Sequence, residues 1–328
     1  MPVQASTESS RDPAPPVDAL SEQLHALSRR LGSPHCCLLM QRAKATAFDD
    51  ALERARQAAG IEVVPVPLKP LPESVWPYLL RLNLDQGTHA AVSALAMRQA
   101  WLDVGLKALR EGRGHSVYAW MFGDTAPSTL ARLVASHALP RHPKTRKRKW
   151  LRYYDPLVTD LYWSLLTSQQ RQSMLRGVRA WAYVDRWCSL QGMESGPGQN
   201  ADRTAPPTTE QWDRLQHVGA LNQAWTRGRL EGRNIETSDL RQTFEALTSV
   251  KAHGLRERAD IDLFAWHSLR YGPDFHHDTR VRRVLGQVDA DEGYAYLSQA
   301  LTDQDWLDID HHRQRPSSSA ERQETGHG

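Results

Sequence analysis

The residues of this chain that could do chemistry are paired carboxylates, adjacent histidines and one dense run of cations. Asp260 with Asp262, Asp289 with Asp291, and the set Asp303, Asp305, Asp308 and Asp310 stand close enough to share a proton or a cation. Most of them stand where a helix begins. A carboxylate there accepts from the free N–H groups of the first turn, so capping accounts for them without catalysis. His276-His277 and His311-His312 suggest metal, yet adjacent histidines point apart, no third ligand stands at a fixed spacing, and HExxH is absent. No metal and no cofactor is expected. Residues 141–149 (RHPKTRKRK) carry six cations, namely Arg141, Lys144, Arg146, Lys147, Arg148 and Lys149, and Trp150, Tyr153 and Tyr154 follow. Cations beside aromatics can neutralise phosphates and stack bases. The competing reading is a solvated loop with aromatics buried behind it, and that reading is favoured. Arg152 and Asp155 could form a functional ion pair, or brace a corner with Asp155 as helix cap. Bracing is favoured.

Bulk composition narrows the classes. The chain has 328 residues, 40% hydrophobic with 11 Trp, and a formal net charge of +3. That length supports one large domain or two smaller ones with a sizeable core, and the charge does not demand a polyanionic partner. The three Cys include the pair Cys36-Cys37 inside an apolar run, which fits buried free thiols in a reducing compartment rather than a disulfide or zinc framework. The polar, Pro-rich start reads as no signal peptide, and no apolar run reaches the length of a membrane span. A cytoplasmic protein without membrane contact is expected. GxSxG, P-loop, GxGxxG and CxxC patterns are absent, which lowers the case for an enzyme.

The elements that must position these residues follow from periodicity. Residues 1–16 and 311–328 read as disordered tails. Apolar runs at 36–40, 61–66, 77–83, 116–122 and 179–185 read as strands, and between them lie stretches with apolar residues at helical spacing. Residues 150–154 (WLRYY) also read as a buried strand, with Asp155-Pro156 opening the next helix. The fold class is α+β. Residues 17–186 form a lobe with a mixed sheet and flanking helices, the Gly- and Pro-rich stretch 187–207 is a linker, and 208–310 form an all-helical lobe.

The order of these pieces resembles the Tap/TEC family of type VI secretion effector adaptors, also called effector chaperones. The family signature is an R-[FY]-[YF]-D-P box, present here in full as Arg152, Tyr153, Tyr154, Asp155 and Pro156. Strand PYLLRLN at 77–83 and helix segment 132–137 precede it as they do in the family, and the similarity covers about residues 35–185. The segment IDLFAWHSLRYGPDF at 261–275 looks like the family's helical lobe. Two turns depart from the pattern, Gln41-Arg42-Ala43 and the basic run 141–149.

The resemblance implies binding rather than catalysis. Such adaptors hold a toxic effector in the producing cell's cytoplasm and help load it onto the VgrG spike. The expected partners are a cognate effector and that spike protein. The expected grip is an inter-lobe surface with Trp212, Trp225 and Trp266 as candidate anchors, since aromatics dominate interface hot spots. Ordinary helix packing is the competing role for each Trp. The alternative function is nucleic-acid binding through Arg141, Lys144, Arg146, Lys147, Arg148 and Lys149, which salt dependence would expose.

Overall fold

Strand β4 (Val117–Phe122) is buried at all six positions. β5 (Ala180–Val184) is buried throughout, and β1 (His35–Met40) at all but its first residue. Such strands are covered on both faces, so their sequences read as continuous apolar runs instead of alternating. The computed structural model describes residues 16–41, 47–196 and 206–314. It divides into two compact units, Met1–Pro207 and Thr208–Gly328.

In the first unit β2 (Val63–Pro65), β3 (Tyr78–Asn83) and β6 (Leu190–Glu194) join those strands in one six-stranded sheet of order β2-β3-β1-β4-β5-β6. The α+β class holds. Every pairing in the sheet is antiparallel, where the alternation of strands and helices had suggested a mixed one. Burial on both faces mimics the sequence pattern of parallel strands, which is why composition alone could not separate the two.

One face carries α1 (Val17–Leu31), α2 (Ala47–Ala58) and α3 (Gly87–Asp103). Leu20, Leu24 and Leu27 of α1 and Val92, Ala96 and Met97 of α3 share a core with Leu38, Trp120 and Ala182 of the sheet. The indole N–H of Trp120 is satisfied there by Ser93 Oγ at 3.1 Å. A short helix, α4 (Leu106–Arg110), follows α3. The opposite face meets α5 (Pro127–Ala138), α6 (Pro156–Leu165), α7 (Ser168–Met174) and the segment 150–155. Tyr153 stacks obliquely on Trp181 of β5 at 5.8 Å and meets His137 of α5 edge-on at 6.0 Å.

Two expectations are corrected here. Residues 150–154 are not a strand. Residues 150–152 have no regular secondary structure and 153–154 form a turn, outside the sheet ladder. Their backbone groups are used locally, with Leu151 N donating to Ala138 O at 2.9 Å and Asp155 N to Arg152 O at 2.9 Å. The aromatic composition that mimics a strand reports burial against a sheet, not membership of one. Second, β6 lies inside the stretch read as a linker, and only 197–205 of that stretch fall outside the described residues. Its residues are mostly exposed and include Gly192, so it carries no strand-like hydrophobic signal.

The second unit is all helical: α8 (Thr209–Leu215), α9 (Val218–Leu230), α10 (Thr237–Ala246), α11 (Arg258–Tyr271), α12 (Thr279–Leu285), α13 (Tyr294–Leu297) and α14 (Asp303–Gln314). Thr208 and Gln211 form a reciprocal capping box at the start of α8. Helix α14 runs past residue 310, into the stretch expected to be a tail. Its Trp306 stacks on Tyr271 at 4.7 Å and meets the His267 ring at a tilt at 4.3 Å, which secures it to α11. The expected N-terminal tail, apart from Pro16, and residues 315–328 of the expected C-terminal tail lie outside the described residues.

Candidate functional site

Helix α6 must begin at Asp155 because Pro156 needs no N–H partner at the first helical position. The Asp155 carboxylate accepts from Leu157 N at 3.2 Å, so the cap read from sequence is present. Two further groups converge on it. Arg152 Nη2 lies 3.0 Å from Oδ2, and His115 Nδ1 lies 3.1 Å from Oδ1. With a carboxylate as acceptor, Nδ1 is the protonated nitrogen of His115. Burial pushes the Asp155 carboxyl up, but the His115 hydrogen bond and charge, then Arg152 and the Leu157 N–H, outweigh it and hold the group below the usual carboxylate range.

The network continues into the sheet. Arg152 Nη2 also donates to Tyr118 Oη at 3.0 Å, and the Tyr118 hydroxyl donates to Gln41 Oε1. The rings of Tyr118 and Tyr154 sit 5.0 Å apart, and those of Tyr153 and Tyr154 5.4 Å apart. Thr159 Oγ1 lies 2.9 Å from both Tyr153 O and Asp155 O, tying the first turn of α6 to the corner. Next to His115, Ser116 donates through N and Oγ to Asp103 Oδ2 at 2.8 and 2.9 Å, and Gln99 holds the other oxygen. Burial raises the Asp103 carboxyl against these bonds.

The five residues of the box therefore brace one another and the sheet, as the bracing reading of Arg152 and Asp155 expected. Sequence reasoning missed His115, Tyr118, Gln41 and Asp103. His115 stands 40 residues from Asp155 in a Gly-rich loop without periodicity, so no local signal could have paired them. A histidine on a carboxylate is the arrangement that activates a nucleophile. Here His115 Nε2 is buried and has no hydrogen-bond partner among the described residues, and the neighbouring Ser116 hydroxyl is committed to Asp103. The geometry supports a corner brace.

At its outer end the network reaches the surface. The Arg152 side chain is 37% exposed and Trp150 is 38% exposed. The guanidinium lies 5.8 Å from the Trp150 ring, and the indole N–H reaches Tyr154 Oη at 3.4 Å. Residues 141–149 continue this surface as a hydrogen-bonded hairpin. Arg141 bridges to Arg148, His142 N donates to Lys147 O at 2.9 Å, and Lys149 N to Pro140 O at 3.0 Å. All six cations are exposed, and none makes an ion pair among the described residues.

The tryptophan anchors are not brought together on a surface. Trp225 is 0% and Trp266 3% exposed. Trp266 lies under the guanidinium groups of Arg227, Arg270 and Arg233 at 4.3, 5.7 and 5.8 Å. Helix packing is thus what the structure shows for both, which corrects their assignment as partner anchors; Trp212 is half-buried.

Several of the acidic residues also have structural work. Asp260 is buried in α11 and accepts from Ala295 N at 2.8 Å, capping α13 from outside that helix. Asp305 and Asp308 hold Arg280 at 3.3 and 3.2 Å. Among the described residues no group of three His, Cys, Asp or Glu could hold a metal ion. A cavity of about 460 Å³ lies at His253, Arg282 and Val288, and one of about 350 Å³ at Trp163, Arg171 and Glu194; the corner lines neither. No described helix is long and apolar enough to cross a membrane. Compared with protein-family models, curated proteins and solved structures, the chain matches none.

Proposed function

We propose that this chain is a non-catalytic adaptor of type VI secretion, which binds a toxic effector in the cytoplasm and helps load it onto the VgrG spike. The observation that carries the reading is the intact box Arg152–Pro156, in its expected order after the β3 and α5 segments. The Asp155 carboxylate and Arg152 Nη2 are engaged by His115, Tyr118 and Leu157, and groups so engaged serve architecture better than turnover. The corner lies outside the sheet ladder, contrary to expectation, which removes one support for the resemblance. What remains is the closure of a sheet face by side-chain packing, through Tyr153 on Trp181 and Tyr154 on Tyr118.

The test is co-expression with the effector encoded beside this gene. The effector should be soluble and co-elute with the chain, and should be lost to the pellet without it. An effector that is equally soluble alone and elutes separately would overturn the proposal. Hydrolysis or transfer on a small molecule by the purified chain would do the same.

A further inference from the structure

We propose that the basic hairpin at 141–149, with Trp150 at its base, is a docking surface for an acidic segment of a polypeptide partner. This rests on the adaptor reading for the class of partner, while the charge argument stands on the hairpin itself.

Six cations sit on nine residues, all exposed. Elsewhere in the same unit arginines find carboxylates: Arg30 meets Glu194, Arg56 meets Glu53, and Arg186 meets Asp160. At the hairpin no such pair exists among the described residues, so like charges stand together uncompensated. The charges are also held in place. Besides the Arg141–Arg148 bridge, Arg146 N donates to His142 O at 2.8 Å and Arg141 Nη1 reaches Arg146 O at 3.3 Å. Arg146 itself has φ 58°, a left-handed conformation that side-chain-bearing residues adopt at a cost of about 1 kcal/mol or more. A turn that needed only solvation would be served by glycine there. Arginine keeps one more cation at the tip.

The chemistry favours an acidic peptide over a nucleic acid. Single strands are gripped by several aromatic faces interleaved with cations. Tyr153 and Tyr154 are buried in the corner, and the third aromatic that follows the hairpin, the exposed Trp150, already has Arg152 over its ring and its N–H on Tyr154. The six cations cluster on one short hairpin, which suits a short acidic run with an apolar neighbour against Trp150.

The experiment uses the full chain and fluorescence anisotropy between about 50 and 300 mM salt. The probes are a labelled glutamate-rich peptide containing one leucine and one phenylalanine, the same peptide with glutamine for glutamate, and an oligothymidylate of similar length. The glutamate peptide is expected to bind, with affinity falling as salt rises, and the glutamine peptide to bind at least about tenfold more weakly. Lys144→Glu with Lys147→Glu should weaken binding by about tenfold or more, while the same charge change at Lys69→Glu with Lys107→Glu should leave it within about twofold. Unchanged thermal melts would show that each variant is folded. Trp150→Ala should weaken binding by a few-fold at every salt concentration.

No binding of the glutamate peptide, equal binding of the glutamine peptide, or indifference to the hairpin reversal would each overturn the proposal. Tighter binding of oligothymidylate than of the glutamate peptide would replace it with the nucleic-acid reading. Effector solubilisation that persists in the Lys144→Glu, Lys147→Glu variant would leave the adaptor function standing and remove only the hairpin from it. Peptide binding without any effector solubilisation would do the reverse.

Discussion

Asp155 receives His115, Arg152 and the Leu157 N–H at once in a buried setting. Removing it leaves a buried histidine and a part-exposed arginine without that carboxylate, so Asp155→Ala should lower stability by about 3 kcal/mol, well beyond the ~1 kcal/mol of a lost cap. Urea midpoints measure this, and a loss under about 1 kcal/mol would mean that the convergence is energetically idle. Because the folded carboxyl is held below its ordinary 3.8, its contribution is present above that value and disappears as pH falls through the lower folded one. Trp225 gives a second residue-scale prediction. At 0% exposure, Trp225→Ala should cost about 3–5 kcal/mol, and any loss of partner capture would then follow from unfolding. The thiols give a third. Burial pushes Cys37 up to about 11 and Cys36 further still, so neither should react with a thiol reagent near neutral pH until the chain unfolds.

At the scale of elements, α6 is fastened at its start and at its middle. Its start is the Asp155 corner, and its middle is gripped by Arg186, which follows β5. The Arg186 side chain is fully buried, with Nε 3.0 Å from Asp160 Oδ2 and Nη2 2.9 Å from Leu157 O. Arg186→Ala removes the buried guanidinium from that carbonyl and carboxylate and should destabilise the first unit by about 3 kcal/mol. Asp160→Asn keeps most of the geometry and should cost less. Equal effects in denaturant titrations would argue that packing, not the charge pair, holds α6. Helix α14 is held differently, by Trp306 on Tyr271 and by Asp305 and Asp308 on Arg280. Arg280→Ala should speed hydrogen exchange along α14 while leaving α9 and α11 protected.

Across the whole molecule, buried histidines set the response to acid. Burial lowers His137 and His217 to about 4 and His267 to about 3. Each is neutral in the folded state and takes up a proton on unfolding below its ordinary 6.5. The unfolded state then binds more protons, so stability falls as pH drops from 6.5 toward the folded values. Asp103 and Asp185, whose carboxyls burial raises, work in the opposite sense, their contribution being lost as pH rises through their folded values. His253 and His276 are lowered by burial as well, so the melting temperature at pH 5 should be lower than at pH 7 by roughly 5 °C or more. A flat profile would mean that these side chains gain solvent before titrating.

Local pattern determined much of this protein. The apolar runs placed β1, β3, β4 and β5, the Asp155-Pro156 step placed the start of α6, and helical spacing placed the second unit, because each depends on residues within a few positions of one another. Only the tertiary structure decided that the sheet is antiparallel throughout, that the tyrosine corner lies on the sheet and not in it, and that β6 exists in a stretch composed like a linker. It also decided that Trp225 and Trp266 are core and that His115 meets Asp155 across 40 residues. Burial and hydrogen-bond partnership are properties of pairs brought together by folding, and no window of sequence contains both members of such a pair.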